Sequence, residues 1–143
     1  MNRVFQRVLP VILISIIIAG CASMSDVLKD KEQGTVNTYP VKPDQAWEIA
    51  MTVLRWEGCE TIEEHKSEQY MLTTVGMNLI SSGALVGVWV EPSGKSSSKI
   101  TVVTKRKMST NIATGLTETK FQERFAQAVG IVKSGKKLPL EAP

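Results

Sequence analysis

The stretch "PDQAWEIAMTVLRWEG", Pro43–Gly58, decides how the chain must fold. Pro43 suits the first helical turn, where its missing N–H costs nothing. Asp44 favours the positive end of the helix, and Arg55 the negative end. Gly58 is a natural residue just beyond the last turn. At about 100° per residue, Trp47, Ala50, Met51 and Leu54 form one apolar stripe. Ile49, Val53 and Trp56 form a second, nearly opposite Trp47. Asp44, Gln45, Glu48, Thr52 and Arg55 fill the remaining arc. A helix apolar over more than half its circumference cannot be satisfied by one sheet face. It needs a sheet on one side and another neighbour on the other.

The flanking segments supply both. Thr35–Val41 ("TVNTYPV") precedes the helix as a short strand, with Pro40 marking an edge or an end. Four strand-like runs follow: Cys59–Lys66, Tyr70–Leu79, Ala84–Glu91 and Lys99–Lys107. Their separators are short: Lys66–Gln69, "ISSG" and the polar "PSGKSSS" of Pro92–Ser98. A second helix runs to about Lys133, with Thr117 or Thr119 as its cap. Thr119 and Gln122 also have capping-box spacing. Phe121, Phe125, Ala128, Val129 and Val132 form its apolar stripe. The order β-α-β-β-β-β-α with short turns predicts an α+β two-layer sandwich: an antiparallel sheet of about 4–5 strands with two helices on one face. The second helix is the expected cover for Ile49, Val53 and Trp56.

Upstream stands "VILISIIIAGCASMSD", Val11–Asp26. The apolar run Val8–Ala19 contains Pro10 and falls short of the roughly 20 residues a membrane-spanning helix needs. Arg3 and Arg7 precede it, as in an export signal. The tetrapeptide Ile18-Ala19-Gly20-Cys21 resembles the bacterial lipoprotein box. That resemblance implies cleavage between Gly20 and Cys21, transfer of diacylglycerol to the Cys21 sulfur, and acylation of the new amine. The thiol is the nucleophile for lipid transfer, and Ala19 and Gly20 are small enough for a peptidase cleft. Ala22 and Ser23 after the cysteine, rather than aspartate, imply delivery to the outer membrane, facing the periplasm. The expected organisation is a removed signal peptide over 1–20, a lipidated tether over 21–34, a globular domain over 35–134, and a flexible tail over 135–143.

The 143 residues carry a formal charge of +3. Removing residues 1–20, with Arg3 and Arg7 and no acid, lowers this to +1 over 123 residues. So even a balance has no electrostatic footprint for nucleic acid, and the length suits one domain. Cys21 and Cys59 are the two cysteines. With the first committed to lipid, Cys59 is expected as a small buried apolar residue.

Catalytic motifs are not evident. His65 is the single histidine; Glu63 shares its side of a strand and Glu64 does not. Two such groups fall short of the three or four converging ligands of a metal site. "GKSSS" lacks the earlier glycine of a phosphate loop, since Trp89 stands there, and it joins two strands. Ser81-Ser82-Gly83 has neither the flanks nor the partners of an activated serine. Lys105-Arg106-Lys107 is a short basic run at a strand end, of a kind that meets phosphate headgroups or acidic glycans, or else is simply a solvated terminus. Trp89 alternates away from Val88 and Val90, so it faces the side of the sheet opposite the helices. If that side is bare, Trp89 and Tyr70 stand exposed; if it is covered, they are ordinary buried residues.

The pattern "YPVKPDQAWEIAMTVLRWEGCETIEEH…YMLTT…VGVWVEPSGKSSSKITVVTKR…FQERFAQAV" resembles the small globular domains of bacterial envelope lipoproteins, including those of the outer-membrane assembly lipoprotein BamC. The likeness spans roughly Val36–Val132 and brings no catalytic motif. It implies a lipid-anchored, non-enzymatic interaction or scaffold module of the cell envelope. Its partners would be the membrane and an envelope protein, and its only attached groups the acyl chains on Cys21. Ile49, Val53, Trp56 and Trp89 are the candidate partner surface, and a free sheet edge is another. The alternative is a carrier of a lipid or other apolar ligand, with Met51, Met71 and Met77 lining a cavity.

Overall fold

A computed structural model describes residues 21–77, 82–107 and 116–143. Its elements are α1 (Met24–Lys29), β1 (Thr35–Tyr39), α2 (Pro43–Trp56), β2 (Ile62–His65), β3 (Tyr70–Met77), β4 (Ser82–Pro92), β5 (Ser98–Arg106) and α3 (Glu118–Lys133). The sheet order is β1-β5-β4-β3-β2, with every pair antiparallel. The chain enters on one edge as β1 and crosses over the sheet as α2. It emerges on the far edge as β2, then meanders back until β5 pairs with β1. This is the α+β sandwich the element order calls for, with α2 and α3 packed on each other over one face.

α2 stops where its sequence says it should. Gly58 adopts φ +84°, its N–H donates to the Arg55 carbonyl, and the Cys59 N–H donates to the Leu54 carbonyl. This paired closure needs a left-handed residue at Gly58 and turns Cys59 inward. Cys59 is buried, before β2 begins at Ile62 rather than within the strand.

The main core lies between the sheet and the two helices. Met71 and Val75 of β3, Ala84, Val86, Val88 and Val90 of β4, and Ile100 and Val102 of β5 meet Ile49, Val53 and Leu54 of α2. Phe121, Phe125, Ala128 and Val129 of α3 close the other side. α3 is capped by Thr117, whose Oγ1 accepts the Lys120 N–H at 3.2 Å. Gln122 has no capping role. It is buried; its Nε2 donates to the Thr35 and Ile100 carbonyls, each at 3.1 Å, and its Oε1 accepts from the Tyr39 hydroxyl at 2.8 Å.

Two segments differ from their compositional reading. Residues 22–34, expected as a tether, are folded against the second face of the sheet. α1 is closed at its start by Ser23 and Asp26, whose carboxylate accepts from the Ser23 N–H and hydroxyl, each at 2.8 Å. Val27 is fully buried among Leu72, Leu85, Trp89 and Val103. Its socket is made by Gly87: a Cβ there would stand 2.6 Å from the Val27 Cγ1. Gly34 then lies so close to β5 that a Cβ would stand 2.6 Å from the Val102 carbonyl oxygen. Val27 is the segment's one fully buried side chain, and the glycine that makes room for it lies 60 residues on. Local pattern carries no trace of that pairing.

The tail 135–143 is likewise laid back on the domain. Trp56 Nε1–H donates to the Pro139 carbonyl at 3.0 Å, Leu138 packs on the core, and Arg124 Nη1 donates to the Pro143 carbonyl at 2.8 Å. Again the contacts come from residues remote in sequence. Among the described residues, no helix is long and apolar enough to cross a membrane.

Candidate functional site

The four residues expected to form a partner surface do not form one. Ile49 and Val53 are 1% and 0% exposed, inside the core cluster that the sheet, α2 and α3 share. Trp56 is half-buried beside the returning tail. Trp89 does face away from α2 and α3, but it is 4% exposed because α1 and the following turn lie over it. Tyr70 stands at 6.1 Å between ring centroids, and the Lys31 ammonium lies 5.9 Å from the Trp89 ring. The sheet face is not bare, so the aromatic ring is a packing element and not a contact for a partner.

Cys21 is exposed, at the start of the described chain; Gly20 lies outside the described residues. Around Cys21 the fold is already made. The Ala22 N–H donates to the Lys107 carbonyl at 3.3 Å, and Ala22 and Met24 pack beside the buried cluster of Val27. The Lys107 N–H in turn donates to the Gly83 carbonyl at 3.1 Å. One end of the sheet, where β5 finishes and β4 starts, therefore adjoins the cysteine. Lys105 there pairs with Asp30, and Arg106 is exposed.

A groove of about 660 Å³ lies beside this end, between α1 and the β2 edge. Glu57, Glu60, Glu63, Leu72, Thr74 and Lys107 are on its walls. Two of its three carboxylates are engaged by neighbouring side chains. The Glu57 side chain, 6% exposed, is held by Lys120 and Arg124, which tie the end of α2 to α3. Glu63 Oε1 is hydrogen-bonded to His65 Nε2, and His65 stacks on Tyr70 with centroids 4.5 Å apart. Glu64, on the opposite side of β2, accepts from the Trp47 Nε1–H at 2.7 Å. The strand alternation expected for these three residues is thus what the bonds display. Among the described residues, no three of His, Cys, Asp and Glu converge.

Two further ionisable groups have shifted behaviour. Burial pushes the Cys59 thiol up to about 11, against a smaller opposite effect from its hydrogen bond with Thr73. Burial also raises the Glu91 carboxyl. Hydrogen bonds and charge from Lys31 and Lys99 outweigh this and hold it below the ordinary glutamate value. Lys31 Nζ is 2.7 Å from Oε1, and Lys99 Nζ is 3.1 Å from Oε2. Sequence reading missed Glu91 and Glu118, and it read Gln122 as a capping partner where the fold uses it as a buried link between α3 and the strands. Glu118 accepts from the Thr35 N–H and hydroxyl and from the Thr104 N–H, locking α3 to two strands. No local signal distinguishes these three from ordinary surface residues.

The class these features define is a single-domain α+β sandwich with helices over one face and a short strap over the other. No family model and no curated protein sequence matches the chain. Among solved structures, the crystal structure of an uncharacterised protein from Bacillus thuringiensis is similar at 11% identity and a TM-score of 0.38, covering 71% of this chain and 90% of that one.

Proposed function

We propose that the protein is a lipid-anchored, non-enzymatic interaction or scaffold module of the bacterial cell envelope, held at the outer membrane and facing the periplasm. The observation that carries this reading is Ile18-Ala19-Gly20-Cys21, standing after a short apolar run and two arginines. A sulfur carrying two acyl chains, with a third on the adjacent amine, anchors stably, because each buried methylene contributes about 0.8 kcal/mol. The exposed position of Cys21 outside both hydrophobic clusters supports it, since the sulfur has no structural task there. Among the described residues, the body it anchors is built from apolar packing and structural ion pairs.

With Ile49, Val53 and Trp89 covered, the surfaces left for a protein partner among the described residues include the two sheet edges, β1 and β2, and the exposed apolar side chain favours β1. That strand pairs only with β5, and Val36 on it is 49% exposed. An edge strand can accept a partner's strand through main-chain hydrogen bonds. The carrier reading has less behind it. Met51 and Met71 belong to the packed core, and the groove by the anchor has three glutamates on its walls.

The test is the covalent state of Cys21. Intact mass of membrane-extracted protein should fit a chain that begins at Cys21 and carries three acyl groups. Cys21→Ser should abolish labelling by radioactive fatty acid and release the chain from the membrane fraction. An uncut, unmodified N-terminus would overturn the proposal.

A further inference from the structure

The two edges of the sheet are built differently. β2 carries Ile62, Glu63, Glu64 and His65, whereas β1, Thr35-Val36-Asn37-Thr38-Tyr39, has no charged residue. An edge strand offers unpaired N–H and C=O groups to another chain, and charged side chains are a common guard against this. β2 has that guard and β1 lacks it. Among the described residues, β1 pairs with β5 alone, and Val36, Asn37 and Thr38 are exposed. Its two ends are fixed to α3: the Thr35 hydroxyl donates to Glu118, and the Tyr39 hydroxyl to Gln122. The edge is therefore held in place before any partner arrives, which lowers the ordering cost of pairing.

We propose that the partner of this edge is a second copy of the chain, with β1 pairing antiparallel to its own copy about Asn37 and joining two five-stranded sheets into one. This rests on the edge-strand reading above and names its partner. A strand that pairs with itself must complement its own reverse. With Asn37 opposite Asn37, Val36 stands opposite Thr38 and Thr35 opposite Tyr39, so all five residues are matched. Val36 and Thr38 are β-branched, the type that packs well across strands. An amide carries both donors and an acceptor, so the two Asn37 side chains satisfy each other. No like charges meet. On β2 the same symmetry, centred on Glu63 or Glu64, sets a carboxylate opposite its own copy. The symmetry also suits anchored molecules. Antiparallel pairing turns one copy about an axis normal to the sheet, so both straps lie on the same side of the joined sheet. Ala22 and Met24 pack on that side, and the two Cys21 residues accompany them. Parallel pairing would set them on opposite sides. A five-residue ribbon is small beside a standard interface of about 1,600 Å². Confinement of both copies to one membrane raises their effective concentration and offsets this.

The experiment is disulfide trapping in the full, processed protein in its own membrane, with the parent protein as background. Directly opposed residues of an antiparallel pair have Cα atoms about 4.5–5.5 Å apart, within the range a disulfide bridges. Cys59 is buried, with its thiol pushed up to about 11, so it does not compete. Under mild oxidation by copper phenanthroline, Asn37→Cys should form a homodimer several-fold faster than Glu63→Cys on the β2 edge. A mixture of differently tagged Val36→Cys and Thr38→Cys should cross-link several-fold more than either alone, which tests the register. Adding Asn37→Lys to both members of that mixture sets like charges face to face and should abolish the cross-link. Equal rates for Asn37→Cys and Glu63→Cys overturn the self-pairing. A cross-link from Asn37→Cys to a different envelope protein overturns it too and leaves the edge-strand reading standing. Intact mass reads acylation of Cys21 separately, so failure of the anchor is distinguished from failure of the pairing.

Discussion

Gly87 is the residue on which the second face turns. A side chain there would collide with Val27 Cγ1 and with the Trp89 ring, whose nearest atom lies 2.9 Å from the added Cβ. Gly87→Ala is therefore expected to cost about 1–3 kcal/mol, as overpacking of a filled site does. Urea denaturation measures it. Combining it with Val27→Ala, which removes the colliding methyl, should fall short of additivity by about 0.5 kcal/mol or more. Additive costs would mean that the strap does not sit in this socket.

Glu91 operates at the same scale, through charge. Its folded-state value lies below the ordinary 4.5, so the folded protein binds its proton less readily than the unfolded chain does. The stabilisation it contributes is therefore present above about that value and is lost as pH falls through the depressed folded one. Glu91→Gln should lower stability at pH 7 and make the decline on acidification shallower. Denaturant midpoints compared at pH 7 and below pH 4 give the result. Parallel curves for the two proteins would show that Lys31 and Lys99 do not favour the ionised form.

Among the elements, α1 contradicts its own sequence most. "SMSDVLKDKEQG" reads as a polar connector, and a six-residue helix is far below the length that is stable alone in water. It exists because Val27 is buried against β3, β4 and β5. Deleting residues 22–33 from a non-lipidated form should uncover Leu72, Leu85, Trp89 and Val103. Tryptophan emission should then shift to the red, and the variant should bind an apolar dye that the intact domain does not. α2 is the opposite case. Its two stripes, its proline start and its glycine stop are all local. The two neighbours demanded by its wide apolar surface are the sheet and α3.

For the molecule as a whole, the question is whether two hydrophobic clusters make one cooperative unit. The central strands β3, β4 and β5 contribute to both: Met71 with Leu72, Val86 with Leu85, and Val102 with Val103 point to opposite faces. Strands shared in this way couple the two clusters. The soluble form of residues 22–143 should unfold with coincident transitions by far-ultraviolet circular dichroism and tryptophan fluorescence. Separate midpoints would show that the strap is an independent unit.

The sequence by itself determined the order of strands and helices, the wide apolar girth of α2 and the need for a helix to cover it. It also determined the opposite sides taken by Glu63 and Glu64. These properties follow from the 2.0 and 3.6 residue periods, which are local. The resemblance of Ile18–Cys21 to a lipoprotein box, on which the proposed anchor rests, is local as well. Only the tertiary structure decided that β1 pairs with β5, that α1 covers Trp89, and that the tail returns to Trp56. Each of these joins residues far apart in the chain. A periodic pattern says that an apolar face must be covered, and the partner is then chosen by shape, as the missing side chain at Gly87 chooses Val27.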